Sequence, residues 1–275
     1  MKSDYIQEIR RAVKSPEYWF AVALIFISSG WTAIYNLDKY GVLSHTEIGA
    51  AEFFYACIIR NTLLQISVPI LPVFASMHAS KIYDYDLANA KKKSKTSRAL
   101  SSITISASVF FISYFTLAAI GLIFYPASTG DISNIGGPFS DVYYDSPFSI
   151  IPLTIIYYCV FAGVYSLFGM GISINFNKSK LLTFVIPITY YFCFNYIIEI
   201  VPAPIRTVLY EVMPLDTFSV FATDIPLHKK ISEMIFVLLI AIVLIAVAKP
   251  NDKGNTCKNE PKIKKYYKTD EMGEQ

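Results

Sequence analysis

Residues able to do covalent chemistry form no familiar constellation in this chain. The three histidines, His45, His78 and His228, fall on three different predicted loops. The four cysteines, Cys57, Cys159, Cys193 and Cys257, make no Cys-x-x-Cys pair, the usual spacing for a zinc or dithiol site. No Gly-x-x-x-x-Gly-Lys-Ser/Thr phosphate loop occurs, which excludes ATP hydrolysis by that route. A His-Glu-x-x-His zinc helix, a Gly-x-Ser-x-Gly nucleophile turn and the Glu-Glu pair of an intramembrane protease are also absent. The expectation is no enzyme, with no cofactor or metal of its own. One segment has a different character: Lys81-Ile82-Tyr83-Asp84-Tyr85-Asp86-Leu87 mixes aromatic, acidic and aliphatic side chains. Exposed aromatics beside acids suit docking to a soluble protein.

A second group of polar residues matters because of where it lies. Arg60, Asn61, Gln65, Asn195, Glu199, Arg206 and Glu211 sit in or beside strongly apolar stretches. These are the candidates to line or gate a path at membrane depth. Arg60 has two readings: it snorkels to the interface, or it pairs with Glu199 or Glu52. Gln65 and Asn195 line a path, or they glue helices together. Glu199 is the one obvious acid near a span on this reading, so proton- or sodium-coupling groups are scarce.

The elements that must position these residues follow from composition. Of 275 residues, 54% are hydrophobic and only 16% charged, far from the balance of a soluble domain. A net charge of +3 also argues against a nucleic-acid partner. Long uncharged runs predict an all-α membrane protein with six transmembrane helices, at about 18–37, 56–78, 99–125, 149–176, 181–200 and 231–248. Residues 1–17 form a cytoplasmic segment before this 18–248 domain, and 249–275 a basic cytoplasmic tail.

Lysine and arginine set the orientation. Nineteen of the 24 gather in four segments: the N-terminal stretch, the loop ending at Arg98, the turn with Lys178 and Lys180, and the tail. Both termini are therefore expected in the cytoplasm, with the chain a multi-pass protein of the plasma membrane. The first run is too long, and too far from the start, for a cleaved signal.

Residues 3–14 read as an amphipathic helix in the interface plane, with Ser3 as a possible N-cap and Ser15-Pro16 as its end. Tyr5, Ile6, Ile9 and Val13 share its apolar face, and Glu8, Arg11 and Lys14 point away. The Pro-interrupted segment 199–230 is too long for a turn and too apolar for a solvated loop. It predicts two short helices dipping into the outer leaflet before the last span. Ala162, Ser166, Gly169 and Ser173 form a small-residue stripe for close packing inside the bundle. Pro69, Pro72 and Pro187 are placed to kink the second and fifth spans.

This layout resembles the permease subunit of an ABC exporter of the type-two class, over about residues 3–248. An interfacial helix precedes six spans, and a loop after the second span matches the coupling helix at 81–90, with Asp86 but without the Gly-Thr spacer often found there. Segment 201–230 is similar to the family's re-entrant helices. Gly169-Met170-Gly171-Ile172-Ser173-Ile174-Asn175 resembles small permeases of Gram-positive bacteria. The resemblance implies dimerisation with an identical or related permease and docking of Ile82, Tyr83, Asp84, Tyr85, Asp86 and Leu87 on an ABC ATP-binding subunit. ATP and Mg would then belong to that partner. Export of, or immunity to, an antimicrobial peptide or another amphipathic compound is the implied role. The alternatives are an ATPase-independent immunity protein and a secondary transporter.

Overall fold

A computed structural model describes residues 2–39, 48–58, 70–79, 92–126, 140–175, 181–183, 185–187, 189–190, 200–212 and 227–248. Among these the regular structure is helical throughout. The helices are α1 (Lys2–Val13), α2 (Pro16–Lys39), α3 (Ala50–Ile58), α4 (Leu71–Ala79), α5 (Lys92–Phe124), α6 (Ser140–Asp145), α7 (Ile150–Asn175), α8 (Ala203–Val212) and α9 (Leu227–Val247). Residues 181–183, 185–187 and 189–190 are helical as well.

Four stretches are long and apolar enough to cross a membrane: Pro16–Leu37, Thr96–Phe124, Pro147–Asn175 and Leu227–Val247. They match four of the six expected spans. At about 1.5 Å per residue, even the 21-residue α9 spans about 31 Å, the thickness of a hydrocarbon core. Large side chains face outward along these helices: Ile27, Trp31 and Ile34 on α2, Phe115 and Ile123 on α5, Leu239, Ile242 and Val243 on α9. Apolar surface on that scale is stable only when something other than water covers it, and lipid does so. The fold is that of a helical membrane protein.

Local chemistry explains the helix boundaries. Ser15 ends α1 and also caps α2: its hydroxyl accepts the backbone N–H of Tyr18 at 3.2 Å, and Pro16 fills the first helical position. The start of α1 at Lys2 puts Ser3 inside the first turn instead of at the cap. At α3, Glu52 reaches back to accept the N–H of Gly49 at 2.9 Å, half of a capping box. Pro72 lies in the first turn of α4, where its missing N–H costs nothing. It therefore starts a helix there, and its carbonyl accepts Ser106 Oγ at 2.7 Å.

Close contacts fix the helix directions. Tyr18 pairs with Ser108, and Ser113 Oγ donates to the Val22 carbonyl, so α2 and α5 run parallel. Cys159 meets Ala107, and Gly163 meets Ile103, so α7 runs antiparallel to α5. Tyr165 bonds Glu233, and Asn175 donates to the Leu244 carbonyl, so α9 runs parallel to α7. The starts of α2 and α5 and the ends of α7 and α9 therefore share one face of the bundle. Two parallel neighbours require the chain to return between them. In agreement, α3 meets the far end of α2, where Asn36 Nδ2 donates to Ala56, and α4 meets its near end, where Phe20 faces Phe74.

The core sits around α7, which packs most extensively on α5 and α9. Phe161 to Ile174 is buried without a break. All four members of the small-residue stripe are buried, and a Cβ on Gly169 would stand 2.6 Å from Val73 Cγ1. Beside it, stacked and edge-on rings of Phe54, Phe110, Tyr114 and Tyr158 fill the space between α3, α5 and α7.

Candidate functional site

The bundle buries two carboxylates at about the same depth, one on α1 against Ser101 of α5 and one on α9 against Tyr165 of α7. The first is Glu8 on α1. Its carboxylate accepts a hydrogen bond from Ser101 Oγ and lies 3.4 Å from Arg98 Nε, both on α5. Ser101 also donates to the Arg98 carbonyl at 2.9 Å, which fixes its hydroxyl. One turn away, Tyr5 and Thr104 hydroxyls meet at 3.0 Å. Ala12, fully buried, lets α1 approach closely. The result is a polar clamp that holds α1 against the first turns of α5.

Sequence reasoning placed Glu8 away from the packed face, and the structure corrects this. Tyr5, Glu8, Ile9 and Ala12 turn toward the bundle, while Ile6 and Val13 are exposed. The apolar arc of α1 is thus shared between the protein and its surroundings. Arg98 and the hydroxyls of α5 compensate the buried charge, a condition no helical wheel of α1 alone contains.

The second centre lies on α9. Glu233 is completely buried, and its Oε1 accepts the Tyr165 hydroxyl of α7 at 2.8 Å. Lys230, three residues earlier, is also buried and lies on the same helix face as Glu233, Met234, Val237 and Ala241. Tyr190 lies within electrostatic reach of Glu233, with its ring edge-on to Phe168. Phe161 stacks on Tyr165 at 4.4 Å between centroids. Glu233 is about 9 Å along the helix from Leu227, inside the apolar span. A buried acid, a buried ammonium and two phenols in one apolar layer can hold a proton or a cation, or respond to one.

This centre also corrects the sequence reading, which counted Glu199 as the one obvious acid near a span. Within the 231–248 span the uncharged stretch begins only at Met234, one residue past Glu233. The missed signal was periodicity: Lys230, Glu233, Val237 and Ala241 recur on one face once α9 is extended back to Leu227. Toward the same face as the start of α9, Tyr143 of α6 is buried. That burial pushes its phenol up to about 12, opposed by the polar Thr154 side chain nearby.

The other candidates are distributed unevenly. Ile82, Tyr83, Asp84, Tyr85, Asp86 and Leu87 lie outside the described residues, as do Arg60, Asn61, Gln65, Asn195 and Glu199. Arg206 is exposed on α8, and its guanidinium donates to the Val201 carbonyl at 3.1 and 3.2 Å. Glu211 falls in the last turn of the same helix. Glu52, one proposed partner of Arg60, caps α3. Among the described residues no group of three or more His, Cys, Asp or Glu is arranged to hold a metal.

The geometry defines a class, a helical membrane protein with charged centres buried between its helices. No protein-family model, curated protein or solved structure matches the chain.

Proposed function

We propose that the chain is the membrane subunit of an ATP-driven exporter of the ABC type-two class. In this reading it crosses the bacterial plasma membrane six times and pairs with an identical or related permease. A separate ABC ATP-binding subunit supplies ATP hydrolysis with Mg, and the chain itself is no enzyme. The cargo is an antimicrobial peptide or a similar amphipathic compound, exported or expelled for self-immunity.

The observation that carries the reading is α5. It is one unbroken helix of 33 residues that begins at Lys92, five residues past Leu87 in the sequence. It packs on α1, α2, α3, α4 and α7, so it reaches most of the bundle. A loop pushed by a nucleotide-driven partner would move a rigid rod, and the rod would move the helices around it. The helix directions add support. The four basic segments adjoin the starts of α2 and α5 and the ends of α7 and α9, which share one face. That arrangement fits two further crossings, at 56–78 and 181–200, and a cytoplasmic placement of both termini. Helix α8, packed on α9 after Pro202, fits one half of a re-entrant hairpin.

The test is co-purification with a phosphate-loop ATPase followed by transport in vesicles. Asp86→Lys and Tyr85→Ala are expected to abolish ATP-driven transport while the protein stays folded. Transport by the isolated chain under an ion gradient alone would overturn the reading. Glu233 favours that second reading, a secondary transporter, because a buried acid between spans is what ion coupling requires. Resistance that survives deletion of the ATPase would instead indicate an immunity protein acting alone.

A further inference from the structure

We propose that α1 is a binding helix for acidic phospholipid headgroups, engaged through Arg10, Arg11 and Lys14. All three side chains are exposed. Glu8, the acid nearest before them, is turned inward and compensated by Arg98 and Ser101 of α5. The next acid, Glu17, is half-buried in the first turn of α2. Among the described side chains the structure thus separates charge along α1: Glu8 faces protein, and Arg10, Arg11 and Lys14 face out.

The neighbourhood of those cations identifies the partner as a membrane surface. At about 100° per residue, Ile6 and Val13 lie between the packed face of α1 and Arg10. Both are exposed. Trp19 is exposed next to them and donates its indole N–H to the Val13 carbonyl at 2.7 Å. Tryptophan favours the boundary between hydrocarbon and headgroups. From there the exposed apolar surface continues along α2 through Phe20, Ile27 and Trp31. The clamp holds α1 at the level of Arg98 to Thr104, where the apolar stretch of α5 begins at Thr96. Ile6 and Val13 therefore meet hydrocarbon while the basic arc lies among headgroups, with long side chains that reach outward. A soluble acidic protein would match the cations but not the apolar edge continuous with a span. Near an acidic leaflet each cation favours binding by about fivefold before screening.

The inference rests on the membrane-spanning fold and not on the transport reading, so failure of ATP-driven transport leaves it standing. Trp19 supplies the test, because Trp31 is the other tryptophan of the two in the chain. The full-length Trp31→Phe protein is placed in nanodiscs that carry the same fraction of brominated phosphatidylglycerol or brominated phosphatidylcholine. The acidic lipid is expected to quench Trp19 at least about twofold more, and salt at about 0.5 M should reduce the difference. Adding Arg10→Gln, Arg11→Gln and Lys14→Gln should equalise the two lipids, without change in thermal midpoint in phosphatidylcholine. If the triple variant loses its fold, single Gln substitutions must lower the preference stepwise. Equal quenching by both lipids in the parent, or a preference that survives the substitutions, overturns the proposal.

Discussion

Glu8 and Glu233 are both buried acids that meet a neighbouring helix through a hydroxyl, yet their settings differ. Glu8 stands where α1 meets the first turns of α5, with 11% of its side chain exposed and an arginine beside it. The arginine compensates the charge, so it is cheap to keep, and its role is to fasten one helix to another. Glu233 has no exposure, lies about two turns inside an apolar span, and is held by a phenol. A charge there is costly unless it is compensated, and a chain that only needed packing would do better with leucine. The difference separates a fastener from a group kept for what it does. Lys230, buried on the same face, strengthens the second interpretation, because two charged side chains are carried into one apolar layer.

The comparison is tested hardest at Glu233. Glu233→Ala strips the Tyr165 hydroxyl of its acceptor and leaves Lys230 without the acid on its face. It should cost about 3–5 kcal/mol, seen as a large fall in thermal midpoint in detergent. Glu233→Gln keeps an acceptor for Tyr165 and should restore most of the fold. Loss of transport in the Gln variant marks the charge as functional, and full transport would reduce Glu233 to another fastener.

A smaller effect is expected where α7 meets α9. A Cβ on Gly171 would lie 2.9 Å from Leu244 Cβ and 3.2 Å from the Ala241 carbonyl. Gly171→Val should wedge the two helices apart, cost about 1–3 kcal/mol and weaken the Tyr165–Glu233 bond. If Gly171→Val leaves stability unchanged, the α7–α9 contact is not the tight seam described above.

The smallest effect belongs to the clamp. Glu8→Ala should cost about 1.5 kcal/mol and speed hydrogen exchange in α1 without opening α7 or α9. A double-mutant cycle with Arg98→Ala should return a coupling of about 0.5–1 kcal/mol. Global unfolding from Glu8→Ala would erase the distinction between the two acids.

Much of the architecture was legible from the chain alone. The runs at 18–37, 99–125, 149–176 and 231–248 correspond to α2, α5, α7 and α9, because a helix across hydrocarbon needs about 20 apolar residues and few sequences supply them by accident. The helix before the first span was legible from its spacing, although which side it packs was not. That depended on Arg98, Ser101 and Thr104, which lie some 90 residues away. The candidate site was less legible. Glu233 reads as the polar flank of a hydrophobic run until α7 brings Tyr165 to it.

By itself the sequence determined that the protein is helical, that it belongs in a membrane, and which segments carry its positive charge. Those properties come from local composition, and the solvent reads them one segment at a time. The tertiary structure alone decided the helix directions that bring the starts of α2 and α5 and the ends of α7 and α9 to one face, the inward turn of Glu8 and the meeting of Glu233 with Tyr165. Each depends on two helices touching, and contact between distant segments is a property of packing that no single stretch of chain contains.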